Sequence, residues 1–305
     1  MQIAQIGMNS SDIAGSLRLY AEAFGFRNAG AQALWGDAIG IQGLPPSSRT
    51  LLWWMVGAQS FFQLEFFHHT SPPQRPLRPD WRPCDHGWAR IGVAVQDVGT
   101  CRAALAANDV PLLGEAKGPA GHRVAFRDPY IGIIVEVMEK QGKAGPEGPA
   151  IVYATSSVAD IEGALIYYRD ALGLPIRPLG DLHAPEDEAL WGLSGAKREG
   201  FLADTGNVLL EIVAYSDPSG RSRPEDYRNS DQGIVNVALG SREKREAADL
   251  VARLARYGYT PALLRESGDI LSAYITDPGR EIEILSIPSD YDRLFGLVPA
   301  RDFFR

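Results

Sequence analysis

The 305-residue chain is 45% hydrophobic and 22% charged, with a formal net charge of −8. That balance describes a globular chain with enough length for two ordinary domains. Its acidity argues against nucleic acid or anionic membrane as partners, since both demand basic surface.

No apolar run approaches the roughly 18–20 residues of a membrane span. The opening stretch MQIAQIGMNSSD lacks the charged and apolar regions of a secretion signal. Cys84 and Cys101 are the only cysteines, both in the first half, and read as free thiols of a reducing compartment. A cytoplasmic location is the expectation.

Residues 3–9 read as a strand, and a helix follows. Ile13, Ser16, Leu17, Tyr20 and Phe24 fall at i, i+3, i+4, i+7 and i+11, the stripe of an amphipathic helix. Asp12 stands where a carboxylate caps free N–H groups, and Gly25 where a helix needs a residue tolerant of positive φ. Aromatic and β-branched stretches at 33–41, 51–56 and 61–67 complete a βαβββ unit. Residues 68–87 carry prolines at 72, 73, 76, 79 and 83, which leaves only an extended connector. A second unit has strands at 89–95, 110–113, 123–126 and 133–138, with a helix over 101–107 and a turn at Asp128-Pro129. Residues 141–149, rich in Gly, Pro and Lys, read as a linker.

The plan then repeats. The phrase LRLYAEAFGF at 17–26 returns as LIYYRDALGL at 165–174, 148 residues later, with Asp160 and Gly173 in place of Asp12 and Gly25. Strands are expected at 151–157, 201–203 and 208–213, then a polar connector over 216–233. The fourth unit has strands at 234–239, 271–275 and 281–285, a helix at 247–257 and the turn Asp277-Pro278. The tail, 288–305, carries Tyr291, Phe295, Phe303 and Phe304, suited to covering a sheet edge or a partner, a homodimer included.

Four such units resemble the vicinal oxygen chelate superfamily of glyoxalase I, extradiol dioxygenases and bleomycin-resistance proteins. The twice-used Tyr-x-x-x-[Phe/Leu]-Gly-[Phe/Leu] phrase carries the resemblance. So do the Asp-Pro turns leading to Glu136 and Glu283. It implies an α+β fold of four βαβββ modules forming two tandem incomplete-barrel domains, 1–140 and 150–287. In that superfamily, ligands from the first and last strand of each unit point into a cup. The matching first-strand positions are Gln5, Arg90, Tyr153 and Asn236. The last-strand positions are Glu65, Glu136, Glu211 and Glu283.

None of these eight is histidine. The resemblance to extradiol dioxygenases implies iron on two imidazoles and one carboxylate, which Tyr153, Asn236 and Glu283 do not supply. No metal cofactor is therefore expected. The alternative is a divalent ion (Fe, Mn, Ni or Zn) on Gln5, Glu65 and Glu136, similar to glyoxalase I but with Arg90 where a histidine would stand. A guanidinium cannot ligate. Arg90 reads instead as an ion-pair partner of Glu65 and Glu136, or as the grip on an anionic ligand.

With consecutive units paired, Glu211 and Glu283 face each other without a nameable cation, which raises one pKa. Together with Tyr153 they are the catalytic candidates for moving a proton, unless Tyr153 and Asn236 serve only as hydrogen-bond donors to them. His68, His69 and His86 offer an improvised metal site or merely polar strand ends. Tyr274 is similar in neighbourhood to a tyrosine that dioxygenases use. It stands one position out of register, and so on the other face.

Alternation with Glu65 places Phe61, Gln63 and Phe67 on the cup side. With Arg90 and Asn236 they are the candidate ligand-binding residues. The expected function is binding of a hydrophobic or aromatic small molecule. The alternatives are a metal-dependent dioxygenase or glyoxalase-like lyase with a non-standard site, and a sequestering, resistance-type binding protein.

Overall fold

The computed structural model describes residues 1–118, 121–140, 148–276 and 281–302. The first unit comprises β1 (Gln2–Asn9), α1 (Ile13–Leu19), β2 (Arg27–Trp35), β3 (Arg49–Val56) and β4 (Gln63–Ser71). The second has β5 (Gly87–Val95), α2 (Val98–Ala107), β6 (Leu112–Gly118), β7 (Gly121–Arg127) and β8 (Ile134–Glu139). The third has β9 (Ala150–Ser157), α3 (Ile161–Leu165), β10 (Ile176–Pro178), β11 (Lys197–Asp204) and β12 (Leu209–Asp217). The fourth has β13 (Gly233–Ser241), α4 (Lys244–Arg256), β14 (Leu263–Ser267), β15 (Ile270–Ile275) and β16 (Ile282–Ser286). Here are the four βαβββ modules, in an α+β fold.

The repeated phrase folds alike in both copies. Asp12 accepts from the Gly15 amide at 3.0 Å and Asp160 from Gly163 at 2.9 Å. Each helix loosens into a π-turn, Tyr20–Phe24 and Ile166–Ala171, before Gly25 (φ 87°) or Gly173 (φ 72°) turns the chain away. The strand expected at 33–41 lies earlier, because Gly36 at φ 62° diverts the chain into a 3-10 turn, Gly36–Gln42. The short strands β10 and β14 were not foreseen.

Two eight-stranded sheets result, ordered β14-β15-β16-β13-β1-β4-β3-β2 and β10-β11-β12-β9-β5-β8-β7-β6. Here the expected division into 1–140 and 150–287 needs correcting. The first unit shares its sheet with the fourth, and the second with the third. At the centre of each sheet two first strands run antiparallel, β1 with β13 and β5 with β9. The physical reason lies in the connectors. Proline cannot extend a ladder, so the chain after β4 leaves its sheet and crosses to found the other. The equivalent segment after β12 carries it back. The two connectors clasp each other through ion pairs related by the repeat. Arg75 binds Asp231 (2.6 Å) and Asp226, while Arg221 binds Asp85 (2.8 Å) and Asp80.

One core runs between the sheets. Ile6, Met8, Leu64 and Phe66 from the first sheet join Ile91, Val93, Val135 and Ile212 from the second, beneath the helices. Fully burying a side chain such as Phe66, 0% exposed, contributes about 1.5–3 kcal/mol. Alternation then turns Gln5, Glu65, Asn236 and Glu283 to the outer face of one sheet, and Arg90, Glu136, Tyr153 and Glu211 to that of the other.

The tail covers its own chain. Gln32 Nε2 donates to the Leu294 carbonyl (3.2 Å), the Ala300 amide donates to the Asn28 carbonyl (2.7 Å), and Leu297 is buried. Phe303, Phe304, Asp277-Pro278 and residues 141–147 of the linker lie outside the described residues. Both cysteines are free and buried. Among the described residues, no helix is long and apolar enough to cross a membrane.

Candidate functional site

The regrouping of units changes who meets whom. In the cup of the second and third units, Arg90 Nη2 lies 2.6 Å from Glu211 Oε2, which also accepts from Thr155 Oγ1 at 2.6 Å. Arg123 Nε donates to Glu136 Oε1 at 2.6 Å, and Tyr153 OH donates to Glu136 Oε2. Between the glutamates sits His183, with Nδ1 2.8 Å from Glu211 Oε1 and Nε2 3.0 Å from Glu136 Oε2.

Burial opposes charge on His183, but the two carboxylates outweigh it and raise its pKa, so both ring nitrogens donate. Burial likewise acts to raise Glu211 and Glu136. His183 with Arg90 overcomes it at Glu211, and His183 with Arg123 at Glu136, leaving both below the usual carboxylate range. Trp191 closes the cup with its ring 3.6 Å from the Arg90 guanidinium.

This cup is full. An imidazolium occupies the point between the glutamates, and no member of the network is more than 4% exposed. The expected Arg90 pair with Glu65 and Glu136 is thus corrected: its partner is Glu211, and Glu65 is in the other sheet. Arg90, expected at a ligand, and Tyr153 and Glu211, expected to move a proton, are locked into this network. His183 comes from an excursion after β10 that ends in the 3-10 turn Pro185–Trp191. Counted from the matching 3-10 turns, Gly36–Gln42 and Pro185–Trp191, its repeat equivalent is Leu34, which lines the other cup.

The other cup is hollow. A cavity of about 240 Å³ is lined by Gln5, Glu65, Asn236 and Glu283, walled by Leu34, Leu52, Phe67, Ile270, Leu285 and Phe295. Glu65 Oε1 accepts from Trp54 Nε1 at 2.9 Å and Oε2 from Gln5, whose Oε1 accepts from Gln63 Nε2 at 2.9 Å. Glu283 accepts from Asn236 Nδ2 (2.7 Å) and Ser272 Oγ (2.9 Å). Gly7 makes the Asn236 position available: a Cβ there would lie 2.0 Å from Asn236 Oδ1, and Gly92 admits Tyr153 in the same way in the filled cup.

Every donor to the two carboxylates is neutral. Burial, then the charge of Glu283, pushes Glu65 up to about 8. Burial alone pushes Glu283 up to about 7, against its hydrogen bonds. Near neutral pH the pair therefore holds about one proton, on Glu65. The amide chain can answer that proton. A protonated Glu65 donates to Gln5 Oε1, and Gln5 Nε2 then turns to Gln63 Oε1, a buried atom that otherwise has no partner. Gln42 Oε1, Asn236 Oδ1 and Tyr274 OH are likewise buried without a partner, on residues that line the cavity.

The uncompensated carboxylate pair foreseen for Glu211 and Glu283 exists, but as Glu65 and Glu283. Gln63, Phe67 and Asn236 line the cavity as expected. Phe61 does not: at φ 51° before β4 it packs beside Ala4, Leu297 and Arg242. Tyr274, expected on the far face, pairs with Glu283 across β15 and β16 and faces the cavity. Burial, then Glu283 and Glu65, holds its hydroxyl well above the usual range, so it stays a donor. The alternative metal set of Gln5, Glu65 and Glu136 is not brought together, because Glu136 lies in the filled cup. His68 meets the Ser10 carbonyl and His69 the Asn9 side chain. No cluster of three or more His, Cys, Asp or Glu suited to a metal occurs among the described residues.

The architecture matches solved structures. Glyoxalase I from Zea mays superposes with a TM-score of 0.61 at 14% identity, covering 97% of this chain and 95% of that one. A candidate dioxygenase from Bacillus subtilis subsp. subtilis gives 0.60 at 14% identity, covering 99% and 97%. At such identities the likeness is one of fold, the tandem incomplete barrels of glyoxalases and related dioxygenases. No family profile and no curated protein matches the sequence.

Proposed function

We propose that the hollow cup binds a small, mainly apolar molecule and moves a proton on it, with Glu283 as base and Glu65 as acid. The observation that carries the reading is the pair of buried carboxylates facing a cavity with only neutral donors around them. Two acids with pKa values raised into the neutral range, Glu283 below Glu65, are suited to taking a proton at one atom and returning it at another. Glu283, the more acidic, accepts a proton from a C–H beside a carbonyl. Tyr274 OH and the Glu65 acid supply hydrogen bonds to the oxygen that gains charge. Leu34, Leu52 and Phe67 exclude water. The reaction class is a proton-transfer isomerisation.

An iron centre of two imidazoles and one carboxylate does not fit, since the four inward positions offer only amide and carboxylate oxygens. Those donors suit a hard ion such as Mg²⁺ or Mn²⁺, and the unneutralised charge of Glu65 and Glu283 favours this second reading. Gln5, Glu65, Asn236 and Glu283 would hold the ion, which would polarise a carbonyl.

The test is proton exchange in D₂O, followed by NMR on a panel of apolar ketones and α-hydroxyketones. Exchange is expected with the wild type and should fall by about 10²-fold or more in Glu283→Gln. Binding without exchange would reduce the protein to sequestration, and no binding at all would remove the cup as a site. Metal analysis of protein purified without chelator separates the two readings.

A further inference from the structure

The hollow cup has a direction. Its acids lie inside, and among its described lining residues a single cation, Arg265, is present. Arg265 sits on β14 opposite Ser272, the residue that donates to Glu283. It is half-buried and forms no hydrogen bond or ion pair among the described residues. It also does not act on the glutamates, since neither carboxyl is drawn down by it. Elsewhere in the chain, arginines that reach inward are paired: Arg90 with Glu211, Arg123 with Glu136, Arg198 with Glu188. An unpaired guanidinium at the edge of an apolar cavity offers a planar fork of donors that matches a carboxylate.

We propose that the molecule held in the hollow cup is an amphipathic carboxylate, its anionic end on Arg265, its apolar middle against Leu34, Leu52 and Phe67, and a hydroxyl or hydroxycarbonyl group inside. The inner end follows from the orphaned atoms. Asn236 Oδ1 is an acceptor left without a partner, so a group that reaches it carries a donor hydrogen, and Tyr274 OH, likewise unpartnered, can donate to an oxygen beside it. An anionic end could not lie there, against Glu65 and Glu283. The inference rests on the reading of this cup as a ligand site and adds the class of ligand.

The test is calorimetric binding of medium-chain ω-hydroxyalkanoates against the matching primary amides. Wild-type protein should bind the acids about tenfold tighter or more, the usual worth of a charge-assisted pair. Arg265→Gln should bring the acids down to the level of the amides. Leu52→Trp, which fills the cavity, should abolish both. Equal binding of acids and amides by the wild type overturns the inference while the cup remains a site. So does an acid preference that survives Arg265→Gln, or survives Leu52→Trp. If neither series binds, the cup itself is refuted as a ligand site, and this inference with it.

Discussion

Replacing Glu65 by Gln should stabilise the protein in base and leave it almost unaffected in acid. Glu65 ionises in the unfolded chain near 4.5 but in the fold only at about 8. Its pKa is raised, so the unfolded state loses the proton first. Stability is full below about pH 4.5 and drains away as pH climbs towards 8. Between pH 5 and pH 9 the loss attributable to this one group is about 4 kcal/mol, at 1.36 kcal/mol per unit. That is a large part of the 5–15 kcal/mol typical of a folded domain. The amide substitute cannot ionise and keeps an oxygen for Trp54, while Gln5 and Gln63 reverse to satisfy its N–H. At pH 5 the variant should lie within about 1 kcal/mol of wild type. Urea unfolding at a series of pH values, with unchanged m, reads this directly. A difference between variant and wild type that stays flat with pH refutes the reasoning, because it means that Glu65 ionises normally and something positive compensates it.

The filled cup should behave in the opposite sense. Glu211 is held low, so its contribution is present above about pH 4.5 and lost on acidification, and Arg90→Ala should cost about 3–5 kcal/mol in denaturant unfolding by stranding its charge, with no effect on ligand binding in the hollow cup. Gly7→Ala should displace Asn236 from Glu283 and destabilise by about 1–3 kcal/mol, with the Glu283 titration moving further up. Phe295→Ala should enlarge the cavity, lower stability by about 3 kcal/mol or less, and shift preference towards longer ligands in the calorimetric series.

Much of this was legible before any coordinates. The resemblance to the vicinal oxygen chelate superfamily pointed to Gln5, Glu65, Arg90, Glu136, Tyr153, Glu211, Asn236 and Glu283, and the near-constant offset between the two halves supported that assignment, because a strand's period of two fixes which side chains share a face. The partnering of units was not legible. Local pattern specifies each βαβββ unit but says nothing about which two first strands pair, and that choice decides that Glu283 meets Glu65 rather than Glu211. His183 was hidden for a related reason. It lies in a Gly- and Pro-rich excursion that reads as loop, and only closure of the chain inserts it between Glu136 and Glu211. Tyr274 was misplaced by counting register from an assumed boundary. One residue's error in a strand reverses the face.

The central claim is that Glu65 and Glu283 share a proton near neutral pH with no cation between them. Carbon-13 NMR of glutamate side-chain carboxyls, assigned with Glu65→Gln and Glu283→Gln, measures it without a ligand. Two resonances titrating at about 7 and about 8 are expected. Both carboxyls titrating in the ordinary range near 4.5 would contradict the account.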